Sequence, residues 1–67
     1  MSEVFSIEVL VKRAKQVLQE QGRAMSSVEV ALALGVPGWS VDRALADAEA
    51  DGAVCFVDGQ GWTLRGG

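Results

Sequence analysis

Apolar residues recur at helical spacing along the first third of the chain. Over residues 7–18 they follow the i, i+3, i+4, i+7 periodicity of a helix with one buried face, and the other side is charged or carries amides. Ser6 suits the N-cap and Gly22 suits a left-handed C-terminal stop. The pattern predicts a first helix over about residues 6–21. Its inward positions are expected to be Ile7, Leu10, Val11, Ala14, Val17 and Leu18.

Two shorter helical segments follow. Ser26 precedes Glu29 by three residues, the spacing of a capping box, and Gly35 stands where a helix would stop, which predicts a second helix over about residues 27–34. A later apolar period ends at Gly52 and predicts a third helix over about residues 38–51, begun either by Pro37 in its first turn or by Ser40 as its cap. The expected inward positions are Val28, Ala31, Leu32 and Leu34 in the second helix and Val41, Ala44, Leu45 and Ala48 in the third.

The C-terminal segment has the composition of a β-hairpin. β-branched and aromatic residues lie on both sides of Asp58-Gly59, a dipeptide that suits a tight two-residue turn. We therefore predict strands over about residues 53–57 and 60–64, with Phe56 and Trp62 on facing strands closing a small core. Near the other end of the chain, Phe5 is expected in the core or in a dimer contact.

Composition limits the class of protein. With 67 residues the chain forms one small domain, and 49% hydrophobic against 22% charged residues indicates a folded one. No histidine is present and Cys55 is the single cysteine, so a Cys/His zinc site, an iron–sulfur cluster and an intramolecular disulfide are excluded, and no cofactor is expected. Neither a signal peptide nor a run of ~20 apolar residues is present, so we expect no membrane association and a cytoplasmic location.

The segment "SSVEVALALGVPGWSVDRALADAEADGAV", residues 26–54, followed by "VCFVDGQGWTL", resembles the winged helix-turn-helix domain of small bacterial and phage DNA-binding regulators. The resemblance covers most of the chain and implies an α+β fold of three helices and a C-terminal two-stranded wing. The positions that agree with the family are Ala31, Leu34, Gly35, Val36, Val41, Leu45, Gly52 and Val54.

In that family the outward face of the third helix reads the DNA major groove. The resemblance therefore implies that Arg43 contacts a guanine edge and that Ser40 bonds a phosphate, with a homodimer on a two-fold site of double-stranded DNA. The DNA-facing positions of the third helix would be Trp39, Ser40, Asp42, Arg43 and Ala46. Further backbone contacts are expected from the first helix and the end of the wing, at Lys12, Arg13, Lys15 and Arg65.

Charge favours a different function. The net charge is −3, and clustered carboxylates on and beside the third helix repel phosphate. The wing tip carries Asp58 and Gln60 and no basic residue. The alternative is therefore an acidic winged helix that docks on a basic protein partner or acts as a DNA decoy, with Trp39 as an anchor. Trp39 could equally cover the core at the turn, and Arg43 could simply pair with Asp47 one helical turn away.

Catalysis is not expected. The carboxylates of Asp47, Glu49 and Asp51 lie in one helical segment without histidine or other metal ligands, as in a solvated helix face. Cys55 falls inside a predicted strand and is interpreted as a small buried hydrophobic residue. The two hypotheses that remain are a DNA-binding regulator and a protein-docking domain.

Overall fold

Three α-helices are followed by a two-stranded antiparallel sheet. The computed structural model describes residues 6–65, so the expectation for Phe5 lies outside the described residues. The prediction of an α+β, winged-helix-like layout is confirmed. The elements are α1 (Ile7–Gln21), α2 (Ser27–Leu34), α3 (Gly38–Ala50), β1 (Val54–Val57) and β2 (Gly61–Leu64).

The helix ends follow the local signals in the sequence. At the start of α2, the Ser26 side chain accepts a hydrogen bond from the Glu29 N–H at 3.1 Å, and the Glu29 carboxylate accepts one from the Ser26 N–H at 3.0 Å. This is the predicted capping box. Gly22 and Gly35 end α1 and α2 in the left-handed conformation, as predicted. α3 begins after Pro37, which occupies the N-cap position, so Ser40 is not the cap.

The capping box also favours the ionised form of the Glu29 carboxylate. The hydrogen bond from the Ser26 backbone and, secondarily, the nearby Arg23 guanidinium hold the pKa of Glu29 below its ordinary value of 4.5. Arg23 Nη2 lies 3.6 Å from Glu29 Oε2, an exposed ion pair. The carboxylate is therefore ionised at neutral pH, the form that accepts both interactions.

The core lies between the three helices and the base of the hairpin. α1 makes its most extensive contact with α3, and Val36 in the turn between α2 and α3 packs against the same cluster. Ala31 is buried where α2 meets α3, which fits the need for a small residue at a helix crossing. The buried hydrophobic residues are Leu10, Ala14 and Leu18 of α1, Met25, Val30 and Ala31, Val41, Ala44, Leu45 and Ala48 of α3, and Val54 of β1.

Two inward positions predicted for α2 are wrong. Val28 is 63% exposed and Leu32 is 78% exposed, whereas Val30 is completely buried. α2 is apolar almost all the way round, so its sequence lacks the contrast between faces from which orientation is inferred. Packing into the core cluster selects the Val30 side instead, and this leaves two branched apolar side chains in solvent.

The hairpin turn is one residue longer than predicted. Val57 pairs with Gly61, and residues 58–60 form the loop, closed by a hydrogen bond from the Gln60 N–H to the Val57 carbonyl at 3.0 Å. Only Gly59 has positive φ in this loop, 79°, whereas the predicted two-residue turn needs positive φ at its first central residue. β2 therefore begins one residue later than predicted, and β1 also begins one residue later, at Val54.

A single-residue bridge adds to this sheet. The Met25 N–H donates to the Trp62 carbonyl at 2.9 Å, and the Trp62 N–H donates to the Met25 carbonyl at 2.7 Å. Gly61 lies so close that a Cβ on it would fall 2.5 Å from the Met25 oxygen, and its φ is 117°. The bridge ties the loop between α1 and α2 to the hairpin and fixes how the hairpin sits against the helices.

Only one ring of the aromatic pair in the hairpin packs against the core. The rings of Phe56 and Trp62 meet edge to face with centroids 5.3 Å apart. Trp62 is half-buried against the core, as predicted, but Phe56 is 51% exposed. Cys55 is half-buried rather than buried, because it alternates with Val54 and so lies on the other side of the strand.

Candidate interaction surface on the third helix

α3 divides sharply into two faces. Its inner face consists of five residues that are at most 1% exposed, namely Ser40, Val41, Ala44, Leu45 and Ala48. We call the remaining exposed side the outer face, formed by Trp39, Asp42, Arg43, Ala46, Asp47, Glu49 and Ala50. At 100° per residue, its centre line is apolar and runs through Trp39, Ala46 and Ala50. Asp42 and Glu49 flank that line on one side, and Arg43 and Asp47 flank it on the other.

Trp39 is the largest side chain of the outer face. It is 67% exposed, so it does not cover the core at the turn, and that alternative is wrong. Val36 fills that place and packs against the core cluster. Trp39 therefore presents a broad apolar surface and an indole N–H to solvent at the start of α3.

Ser40 does not face solvent, and its assignment as a phosphate contact is wrong. The residue is completely buried, and its hydroxyl donates to the Pro37 carbonyl at 2.6 Å. One residue beyond Trp39 is 100° further round the helix, which places Ser40 on the same side as Ala44. The family resemblance implied an exposed site, but the hydroxyl is hydrogen-bonded within the first turn of α3.

Arg43 is exposed, as the resemblance implied. The alternative pairing with Asp47 is not formed, because within residues 6–65 the ion pair under 4 Å is the one between Arg23 and Glu29. The guanidinium stands on one flank of the outer face, one turn after Trp39. It is the only basic group on that face.

The outer face as a whole is acidic. Three carboxylates less one guanidinium leave a formal charge of −2, and Asp51 adds a further carboxylate at the C-cap. The last turn of α3 contains no basic residue. Cations, not carboxylates, are stabilised at a helix C-terminus, so the placement of Glu49 and Asp51 does not stabilise the helix.

The remaining residues predicted to contact DNA lie elsewhere. Lys12 and Arg13 are exposed and Lys15 is half-buried, on α1, which contacts α3 through its opposite, buried side. Arg65 is exposed at the base of the hairpin, where its N–H donates to the Ala53 carbonyl at 3.0 Å. These basic residues therefore belong to α1 and to the end of the hairpin, and Arg43 belongs to α3.

Two other surface features were not anticipated from the sequence. Val28 and Leu32 form an exposed apolar pair one turn apart on α2. An open cleft lies between the start of α2 and the hairpin, lined by Ser26, Ser27, Phe56, Gly59, Gln60, Gly61 and Trp62. Over the described part of the chain, no group of three or more metal-ligating side chains comes together, and no helix is long and apolar enough to cross a membrane.

Comparisons with protein-family models, with curated proteins and with solved structures find no match to this chain.

Proposed function

We propose that this domain is a protein-docking winged helix, and that the outer face of α3 binds a positively charged surface of a partner protein. The observation that carries the proposal is the composition of that face. Its centre line is apolar and its flanks are predominantly acidic. A helix that enters the DNA major groove needs donors for base edges and cations for phosphate at these positions. Here one arginine is the only such cation.

The exposure of Trp39 supports a protein partner. Tryptophan is among the residues enriched at the energetic centres of protein interfaces, because it buries a large apolar area and can also donate a hydrogen bond. At 67% exposed, Trp39 keeps most of that area available. Neighbouring Ala46 and Ala50 allow a second backbone to approach closely beside it.

The carboxylates support a basic partner. Asp47, Glu49 and Asp51 lie toward the C-terminal end of α3, where a carboxylate opposes the helix dipole and so does not stabilise the helix. They have a consequence for association, since complementary charge steers partners together and excludes those of like charge. A duplex phosphate backbone is of like charge, and a lysine- or arginine-rich protein surface is complementary.

Site-specific crosslinking from the outer face tests this function. A photo-crosslinking amino acid at Ala46 should yield an adduct whose crosslinked peptide, identified by mass spectrometry, comes from a basic segment of one protein. The adduct should disappear when Trp39→Ala is added and persist with Phe56→Ala, a matched loss of an exposed aromatic elsewhere. An adduct with nucleic acid would overturn the proposal.

DNA binding is the second candidate, favoured by the exposed position of Arg43 on α3 in a winged-helix-like layout. Titration with random duplex DNA at about 50 mM salt, where phosphate binding is strong, separates the two functions. Docking predicts no amide shifts in residues 39–50. Salt-sensitive shifts there, lost in Arg43→Ala with a cost of ~1–3 kcal/mol, would establish DNA binding instead.

A further inference from the structure

We infer that the element docked on the outer face of α3 is an amphipathic α-helix with a small apolar seam and lysine or arginine flanks, lying antiparallel to α3. This inference rests on the proposed function and specifies the chemistry of the partner. It follows from the spacing of the outer-face residues, the distribution of charge around them and the direction of the α3 dipole.

The spacing favours a helix as the partner element. Trp39, Ala46 and Ala50 are separated by seven and four residues, a spacing at which one helix meets another along a shared seam. The two alanines allow the second helix to approach at the short end of the usual 8–10 Å interaxial range. α3 has 13 residues and is about 20 Å long, so a partner helix of about the same length would cover it.

The flanks specify the partner's charges. Asp42 and Glu49 are seven residues apart, so they occupy equivalent positions in successive heptads on one edge of the seam. Lysine or arginine at the facing edge of the partner would meet both. On the other edge Asp47 also calls for a cation, whereas Arg43 calls for a carboxylate. That single reversal of charge fixes the register of the two helices.

The dipole specifies direction. The carboxylates of Asp47, Glu49 and Asp51 lie toward the C-terminal end of α3, where helix carbonyls already carry partial negative charge. An antiparallel partner places its positive N-terminal end beside them. A parallel partner would place a second negative C-terminal end there, which is unfavourable.

A set of peptides tests the inference against the intact domain. The first is a helix-stapled peptide of about 14 residues with an Ala/Leu seam, lysine flanks and one glutamate opposite Arg43, matched to the length of α3. The second has the same composition in scrambled order, and the third has glutamate flanks. Binding is followed by the amide shifts of residues 39–50 and by the indole N–H of Trp39, with the Kd taken from titration.

The stapled lysine peptide should bind roughly tenfold more tightly than the other two, because each of them loses the paired charges along the seam. The domain variant Asp42→Lys/Glu49→Lys should reverse the preference in favour of glutamate flanks. The variant Glu20→Lys/Asp58→Lys makes the same change in net charge away from the outer face, and it should leave the preference unchanged. A paramagnetic label at the peptide N-terminus should broaden residues 47–50 more than Trp39.

Each opposite result overturns the inference. Equal binding of the scrambled peptide would show that charge alone is recognised. That result would be compatible with protein docking but would contradict a helical partner. Stronger broadening at Trp39 than at residues 47–50 would show that the partner helix lies parallel to α3. The absence of outer-face shifts with every peptide would exclude a helical partner, while the crosslinking experiment decides independently whether a protein docks at all. Concentration-dependent dimerisation that protects Trp39 would make a second copy the occupant.

Discussion

The two faces of α3 differ in burial and in how their polar groups are paired. Every inner-face residue is almost completely excluded from solvent, and the one polar group among them, the Ser40 hydroxyl, is hydrogen-bonded inside the helix turn. The outer face contains the largest exposed side chain of the helix and its charges, with no ion pair among them in the part of the chain that the structure describes. The inner face therefore determines stability, and the outer face is available for the docking that we propose.

The largest expected effect is on the inner face. Leu45→Ala removes a completely buried side chain from the contact between α3 and the rest of the core, and such substitutions lower the free energy of unfolding by roughly 2–5 kcal/mol. Chemical denaturation measures the loss. The outer-face control Asp47→Ala should change stability by less than about 0.5 kcal/mol. Similar losses for the two variants would contradict the division between the faces.

Two glycines of the hairpin differ in how closely other atoms pack against them. Gly59 and Gly61 both have positive φ, but only Gly61 faces a close neighbour, the Met25 backbone. Gly59→Ala should cost about 1 kcal/mol from backbone strain, and Gly61→Ala should cost roughly 2–3 kcal/mol, because overlap adds to strain. Thermal and denaturant unfolding provide the comparison. If the two variants lost the same stability, the close contact with Met25 would be refuted.

Ser40→Ala sharpens the distinction between a buried serine and a contact residue. Loss of the hydroxyl bond to Pro37 should lower stability by about 1 kcal/mol. Binding of protein or DNA at the outer face should be unaffected, since the side chain is buried. A variant of unchanged stability with weakened binding would show that Ser40 faces outward after all.

The helix ends were predictable because their signals are local. Ser26 with Glu29 and the glycines after α1 and α2 act through neighbours a few residues away, and the observed bounds differ from the predicted ones by at most one residue. The burial of Val30 instead of Val28 was not predictable in this way. An apolar helix of eight residues has no polar face to orient it, so its neighbours decide.

The candidate surface was predictable only in part. The family resemblance correctly implied that Trp39, Asp42 and Arg43 point outward, but it also placed Ser40 outward, and that position is inward. The bridge between Met25 and Trp62 joins residues far apart in sequence and left no periodic pattern.

Trp39→Ala should affect binding far more than stability. Because the indole is mostly in solvent, the free energy of unfolding should change by about 0.5 kcal/mol or less. As an interface anchor, its loss should weaken docking of the stapled lysine peptide by roughly 2 kcal/mol, or about thirtyfold in Kd. Phe56→Ala is the matched control and should bind normally. If Trp39→Ala bound the peptide as tightly as the parent does, Trp39 would not be the anchor of the outer face.

Glu29 tests whether an exposed side chain can still be structural. Hydrogen bonding to the Ser26 N–H holds its pKa below 4.5, so the carboxylate stabilises the fold above pH 4.5, and this contribution is lost as the pH falls through the lowered pKa. The difference in free energy of unfolding between the parent and Glu29→Gln should therefore be constant near neutral pH and shrink on acidification. Ser26→Ala should keep that pH dependence, because the backbone donor remains, while losing about 1 kcal/mol at every pH from the other half of the capping box. If the difference in free energy of unfolding between the parent and Glu29→Gln did not vary with pH, the exposed carboxylate would not be held at the start of α2. Exposure alone would then identify a side chain that does not contribute to stability.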